Sequence, residues 1–228
     1  MTTILAIETS TELASVSLLL NESIISRDLA GVQTHSFGLL PAVQEILQEV
    51  NIGLDQLDAI AFGCGPGAFT GVRTACGVVQ GLAFGLQLPV ISVVSLLSMA
   101  EAAKESNGCC DVLCCLDARM NEVYWAHYRF DGTAWIEIEA PRLSEFDMAV
   151  SYATEMKANL VLGQGLQLPE NLMNLPHVYS MPHAQFVLRI ARMKLRQGLQ
   201  VDASYAQPLY LRNKVALTTA ERLLAREI

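Results

Sequence analysis

The chain has 228 residues, of which 52% are hydrophobic and 17% charged. That much apolar side chain excludes a disordered or low-complexity protein, and the length suits one large domain or two lobes of about 100 residues each. A net charge of −8 disfavours tight direct binding to a phosphate backbone, because a freestanding nucleic-acid binder is normally basic.

The opening MTTILAIETS has no basic region followed by a cleavable apolar stretch. The richest apolar segment, Val72 to Leu88, is interrupted by Arg73, Thr74, Gln80 and three glycines, so it falls short of the ~18 apolar residues of a membrane span. Six cysteines in such a chain point to reduced thiols. The expectation is an acidic, soluble, cytoplasmic protein with no membrane partner.

In chain order, Ile4 to Ile7, Ala14 to Leu20 and Ile24 to Leu29 read as strands, the last two joined by a turn at Asn21-Glu22. From Ser36 to Val50 the apolar residues 37, 39, 40, 42, 43, 46, 47 and 50 recur at helical spacing. Asp58 to Gly63 is a strand, followed by the glycine-rich GCGPGAFTG and a helix running to Leu86. Pro89 to Val94 is a further strand and Ser95 to Glu105 a further helix. Ser106-Asn107-Gly108 is the best break.

Beyond it, Asp111 to Leu116, Glu122 to Phe130 and Ala134 to Glu139 read as strands, Ser144 to Ala158 as a helix, Leu160 to Leu162 as a strand, and Ala184 to Gln197 as a helix ended by Gly198. The order is α/β with mixed sheets, and the second half repeats the first. Two lobes follow, 1–108 and 109–228. Residues 1–108 carry 3 basic and 10 acidic groups, while residues 109–228 carry 12 and 13.

The turn Gly63 to Arg73 lies between a strand and a helix. Gly65, Gly67 and Gly71 allow close backbone approach, Thr70 can cap the helix and Arg73 adds a positive charge, so an anion or nucleotide site is one reading. A tight turn without a ligand is the other. The Gly-Lys-Ser/Thr ending of a Walker loop is missing, and the spacing does not match G-x-G-x-x-G with a downstream acid.

Several motifs make the chain resemble a known family. They are ILAIETST at the start, H-S-x-x-L-L-P from His35, GPGAFTGVR, Asp117-Ala118-Arg119, Gly163-Gln164-Gly165, and Pro208-Leu209-Tyr210-Leu211-Arg212 with Val215-Ala216. In that order, across nearly the whole chain, they resemble the TsaB (YeaZ) family. The resemblance implies a role in making threonylcarbamoyl-adenosine at position 37 of tRNAs reading ANN codons. It also implies the two-lobed, ribonuclease H-like fold of actin, Hsp70 and sugar kinases, with mixed sheets flanked by helices.

Members pair with the transferase TsaD through first-lobe helices, and with themselves when alone. The ATPase TsaE joins that complex, TsaC makes the threonylcarbamoyl-adenylate upstream, tRNA is met only through the complex, and ATP or ADP can sit at its interface.

The same resemblance argues against catalysis by this chain. Glu8-Thr9-Ser10-Thr11-Glu12 has no glycine where an ATPase of this class has its phosphate hairpin. TsaD binds a metal through H-x-x-x-H, and Ser95 and Met99 stand at the matching positions, so no metal ligands are expected. The histidines 35, 127, 177 and 183 form no i,i+4 pair and read as surface or capping residues. Cys109-Cys110 and Cys114-Cys115 alternate across a strand and cannot converge on one ion. No catalytic residue is assigned, and Asp117 and Arg119 stand as a motif whose role is general base or structural turn.

What remains is binding. The second helix is apolar nearly all round, with Gly77, Gly81 and Gly85 forming a ridge at four-residue spacing. The expected partner contact is Phe37, Leu40, Val43, Leu47, Val72, Ala75, Gly77, Val79, Gly81 and Leu82, against the alternative that these fill the core. Arg189, Arg192 and Arg196, with Lys194, Arg212 and Lys214, can offer phosphates a landing strip, or form a solvated face. The rival readings of function are a weak ATPase or kinase using Thr70, Arg73 and Asp117, a peptidase, and a homodimeric nucleotide-binding regulator.

Overall fold

The computed structural model describes residues 2–29 and 34–212, residues 34–36 by backbone alone. The first five strands are β1 (Thr3–Glu8), β2 (Ala14–Leu20), β3 (Ser23–Leu29), β4 (Ala59–Gly63) and β5 (Val90–Val93). They form one sheet in the order β3-β2-β1-β4-β5, antiparallel among the first three and parallel from β1 to β5. Strands β6 (Asp111–Arg119), β7 (Glu122–Phe130), β8 (Trp135–Glu145), β9 (Asn159–Leu162) and β10 (His177–Tyr179) form a second sheet in the order β10-β9-β6-β7-β8. Here β6, β7 and β8 are antiparallel, and β6, β9 and β10 are parallel. Read from its own first strand, each sheet has the same topology. The repeat is in the fold, where the residues show none.

Among the described residues five α-helices cover the sheets: α1 (Thr34–Glu49), α2 (Phe69–Leu86), α3 (Ser95–Asn107), α4 (Phe146–Met156) and α5 (Ala184–Arg196). Strand side chains alternate between faces, so each sheet has two apolar surfaces to cover. Leu5, Ile7, Val16, Leu18, Ile60 and Phe62 pack under α1 and α2. On the reverse face Ile4, Ala6, Ala61 and Ile91 pack against Val187, Leu188 and Ala191 of α5. In the second sheet Leu113, Cys115 and Leu160 meet α4, whereas Val112, Cys114 and Ala126 meet Leu96, Met99 and Ala103 of α3.

The helices are therefore exchanged. α3 follows the first sheet but covers the second, and α5 follows the second sheet but covers the first. Residue 108 separates the strands of the two lobes; it does not separate their helices.

The second sheet departs most from the sequence reading. β8 continues to Glu145, because Leu143 and Ser144 pair with Tyr124 and Val123 and the Trp125 indole N–H donates to Ser144 Oγ. The helix therefore starts at Phe146, after Ser144. β10 is three residues long and its own residues carry no pattern; pairing with β9 creates it. The Asn21-Glu22 turn is as expected, both residues having positive φ, the backbone that suits a two-residue hairpin.

Candidate functional site

The turn after β1 docks directly into the glycine-rich turn before α2. Ser10 O accepts the Ala68 N–H at 2.6 Å, and Thr9 Oγ1 donates to Gly71 O at 2.7 Å. A Cβ on Gly67 would lie 2.2 Å from Ser10 O, and one on Gly71 would lie 1.8 Å from Thr9 O. Gly65, with φ of +98°, donates its N–H to Ser95 Oγ and accepts the Ser95 N–H through its carbonyl. Gly67 and Gly71, open above to an anion site or a ligand-free tight turn, admit the chain's own backbone. Thr70 is exposed and does not cap α2, whose N-cap is Ala68.

Beneath this contact Glu8 is fully buried. Its carboxylate accepts the Ser10 N–H at 2.7 Å and the Ser95 hydroxyl at 2.9 Å, and burial raises its pKa. A Cβ on Gly63 would sit 1.8 Å from Glu8 Oε2, so that glycine exists to make room for the carboxylate. Ser95 and Met99 are both buried, and among the described residues no three His, Cys, Asp or Glu side chains are placed to hold a metal ion.

A cleft of about 820 Å³ opens between the lobes. Its first-lobe wall includes Thr11, Glu12, Phe69 and Arg73; its second-lobe wall includes Asp117, Arg119, Tyr124 and Gln164. The Arg73 guanidinium lies 3.5 Å from the Phe69 ring centre, and its Nε donates to Tyr210 Oη at 2.6 Å. Asp117 accepts the Arg119 N–H at 2.8 Å and pairs with the Arg119 guanidinium at 3.2 Å. Both charged groups of that motif thus answer each other locally.

The helix face expected to bind a partner divides in two. Val43, Leu47, Val72, Ala75 and Val79 are buried in the first lobe, where they fill its core. Periodicity placed them on the helices without showing which arc faces the sheet. Phe37 and Leu40 are exposed, at 84% and 47%; Leu82 is half-buried, and Gly77 and Gly81 are exposed with nothing within 4 Å of a Cβ. Phe84, missing from the expected set, is 81% exposed. Its spacing was the available signal: seven residues after Gly77 is two helical turns along the same side.

The family model described as TsaD, tRNA N6-adenosine threonylcarbamoyltransferase, matches residues 20–191. The tRNA threonylcarbamoyladenosine biosynthesis protein TsaB of Haemophilus influenzae is 36% identical over 99% of this chain and 98% of its own length. The protein of the same name from Escherichia coli is 36% identical, covering 93% and 96%. A solved Pseudomonas aeruginosa structure, described as similar to the peptidase YeaZ, superimposes with a TM-score of 0.82. It is 37% identical and covers 93% of this chain and all of its own. The chain belongs to the TsaB family.

Among the remaining candidates of this TsaB-family chain, the basic stripe is largely answered from within. Arg189 pairs with Glu105 and Arg192 with Glu22, while the half-buried Lys194 donates to Ser92 O. Burial lowers the Lys194 pKa. Lys214, Val215 and Ala216 lie outside the described residues, as does the His35 side chain.

His183 caps α5 by accepting the Gln185 N–H, as a capping histidine should. His127 differs from expectation. It is fully buried, with Nε2 2.6 Å from Asp111 Oδ1 and Nδ1 3.3 Å from the Tyr152 hydroxyl, because β7 turns that position towards α4. Cys114 and Cys115 face opposite sides of the sheet, each in a different core. Cys64 is buried and its thiol is pushed up to about 12 by that burial, which opposes nucleophilic use.

No described helix is long and apolar enough to cross a membrane.

Proposed function

We propose that this chain serves threonylcarbamoyl-adenosine formation on tRNA as a non-catalytic subunit that docks the transferase TsaD through the outer face of α1 and α2. The observation that carries the reading is the exposure, among the described residues, of Phe37 and Leu40 on α1 and of Phe84 on α2, the helix whose Gly77 and Gly81 have open space where a Cβ would be. Exposed apolar side chains beside a smooth glycine ridge allow a second helix to approach closely. Glycine inside a helix costs about 0.5–1 kcal/mol relative to alanine, and among the described residues nothing uses the space gained. The same patch serves self-pairing when TsaD is absent.

The glycine-rich turn supports the non-catalytic half of the proposal. Thr9 and Ser10 carbonyls stand against Gly71 and Gly67, and Glu8 places a carboxylate below them. A triphosphate brought there would meet backbone oxygen and buried acid. In this reading TsaE acts on the assembled pair, TsaC supplies the adenylate, tRNA is bound only by the complex, and ATP or ADP belongs to the complex interface.

Reconstituted tRNA modification with TsaC, TsaD and TsaE, with and without the chain, tests the proposal beside an ATPase assay on the chain alone. Modification that depends on the chain, with no turnover by it in isolation, is the expected result. Modification without it, or robust hydrolysis by it alone, overturns the reading.

A further inference from the structure

The segment 207–212 crosses from one lobe to the other at the mouth of the cleft. On the first lobe, the Leu209 N–H donates to Cys64 O at 2.7 Å, and Tyr210 takes the Arg73 Nε–H while its ring centre lies 6.0 Å from that of Phe69. On the second lobe, Arg212 reaches the turn between β6 and β7. Its Nη2 lies 3.2 Å from Ala118 O and 2.5 Å from Glu122 Oε2, and Nη1 lies 3.3 Å from Met120 Sδ.

That turn is costly to form. Arg119, Met120 and Asn121 all have φ between 58° and 67°, a left-handed backbone that side chains with a Cβ disfavour. Asp117 holds its first residue by accepting the Arg119 N–H. The shape so produced directs the Ala118 carbonyl and the Glu122 carboxylate to one guanidinium. Charge-assisted bonds of this kind are about twice as strong as neutral ones, and Arg212 makes them with its side chain only 17% exposed.

We propose that residues 207–212 are a latch holding the two lobes at a fixed angle across the cleft, with Arg212 as the bolt and the Asp117–Glu122 turn as its catch. The lobes are already joined elsewhere by α3, which packs on the second sheet and against α5. A body joined at α3 and tied again at the cleft mouth has its opening motion restrained by the second tie. The latch gives the Asp117-Ala118-Arg119 and Pro208-to-Arg212 motifs one shared role, and it is independent of the docking proposal because it acts within the isolated chain.

The test uses the full chain with Arg212→Ala and, separately, Glu122→Gln, which leaves the crossing segment intact. Hydrogen exchange is followed at residues 118–122. The inter-lobe distance is measured between spin labels at Gln48→Cys and Glu155→Cys, with Cys109 and Cys110 replaced by serine and labelled chain diluted in unlabelled chain. The latch requires at least tenfold faster exchange at the turn together with a longer or broader inter-lobe distance in both variants. Faster exchange with an unchanged distance overturns it, since Arg212 then only braces its own turn. Unchanged exchange overturns it as well.

Discussion

Thr9 and Gly71 are locked together, the Thr9 hydroxyl donating to the Gly71 carbonyl while the Thr9 carbonyl occupies the place where a Gly71 side chain would be. A methyl group at Gly71 would stand 1.8 Å from that oxygen, and the obstacle is backbone. Gly71→Ala is expected to destabilise the chain by about 1–3 kcal/mol or more, as overpacking does. Gly77→Ala, on the same helix with open space beyond it, should stabilise the isolated chain by about 0.5–1 kcal/mol. Urea unfolding of the two variants checks both signs.

The docking face gives a second pair with opposite outcomes. Phe84→Asp and Leu40→Asp put charge on exposed positions, so circular dichroism should be unchanged while binding to TsaD falls at least tenfold. Val79→Asp puts charge into a fully buried site, where an unpaired carboxylate costs several kcal/mol, and the chain should fail to fold. Retained affinity in Phe84→Asp counts against the proposed face. A soluble, folded Val79→Asp chain that cannot bind would return Val79 to the interface.

The basic stripe yields a third expectation. Because Arg189 and Arg192 already face Glu105 and Glu22, an Arg189→Ala, Arg192→Ala, Arg196→Ala variant should leave unchanged the salt dependence with which the assembled complex binds tRNA. Each lost phosphate contact would lower the slope of log affinity against log salt by about 0.7–0.9. Filter binding across a salt series resolves a change of that size.

Much of this architecture was legible from the residues, for identifiable reasons. Alternation and turn chemistry located β2, β3 and β7, and the glycine-rich turn fell between β4 and α2 as read. What escaped was set by contacts distant in sequence. Ser144 reads as the first residue of a helix and becomes strand because Val123 of β7 offers it a partner. Ala184 to Gln197 reads as a helix of the second half, yet the apolar face of α5 meets β1 and β4.

The site shows the same division. Gly67 and Gly71 signal a close approach, but nothing local says that Thr9 and Ser10 are what approaches. Arg73 reads as a free cation until Tyr210, 137 positions away, takes its Nε–H.

Glu8 supplies a pH dependence whose sign is fixed by its burial. The folded carboxyl has a pKa raised above that of an ordinary glutamate, chiefly because burial disfavours its charged form, although hydrogen bonds from Ser10 and Ser95 pull the other way. Between the unfolded pKa and the raised folded one, the folded chain holds more protons than the unfolded chain. Stability therefore falls as pH rises through that window. Glu8→Gln removes the ionisation while keeping an amide oxygen for the Ser10 N–H, so its stability should lose this decline. Thermal unfolding of both chains from pH 4 to pH 8 makes the comparison, and parallel curves would show that Glu8 is held ionised by Ser10 and Ser95 in spite of its burial.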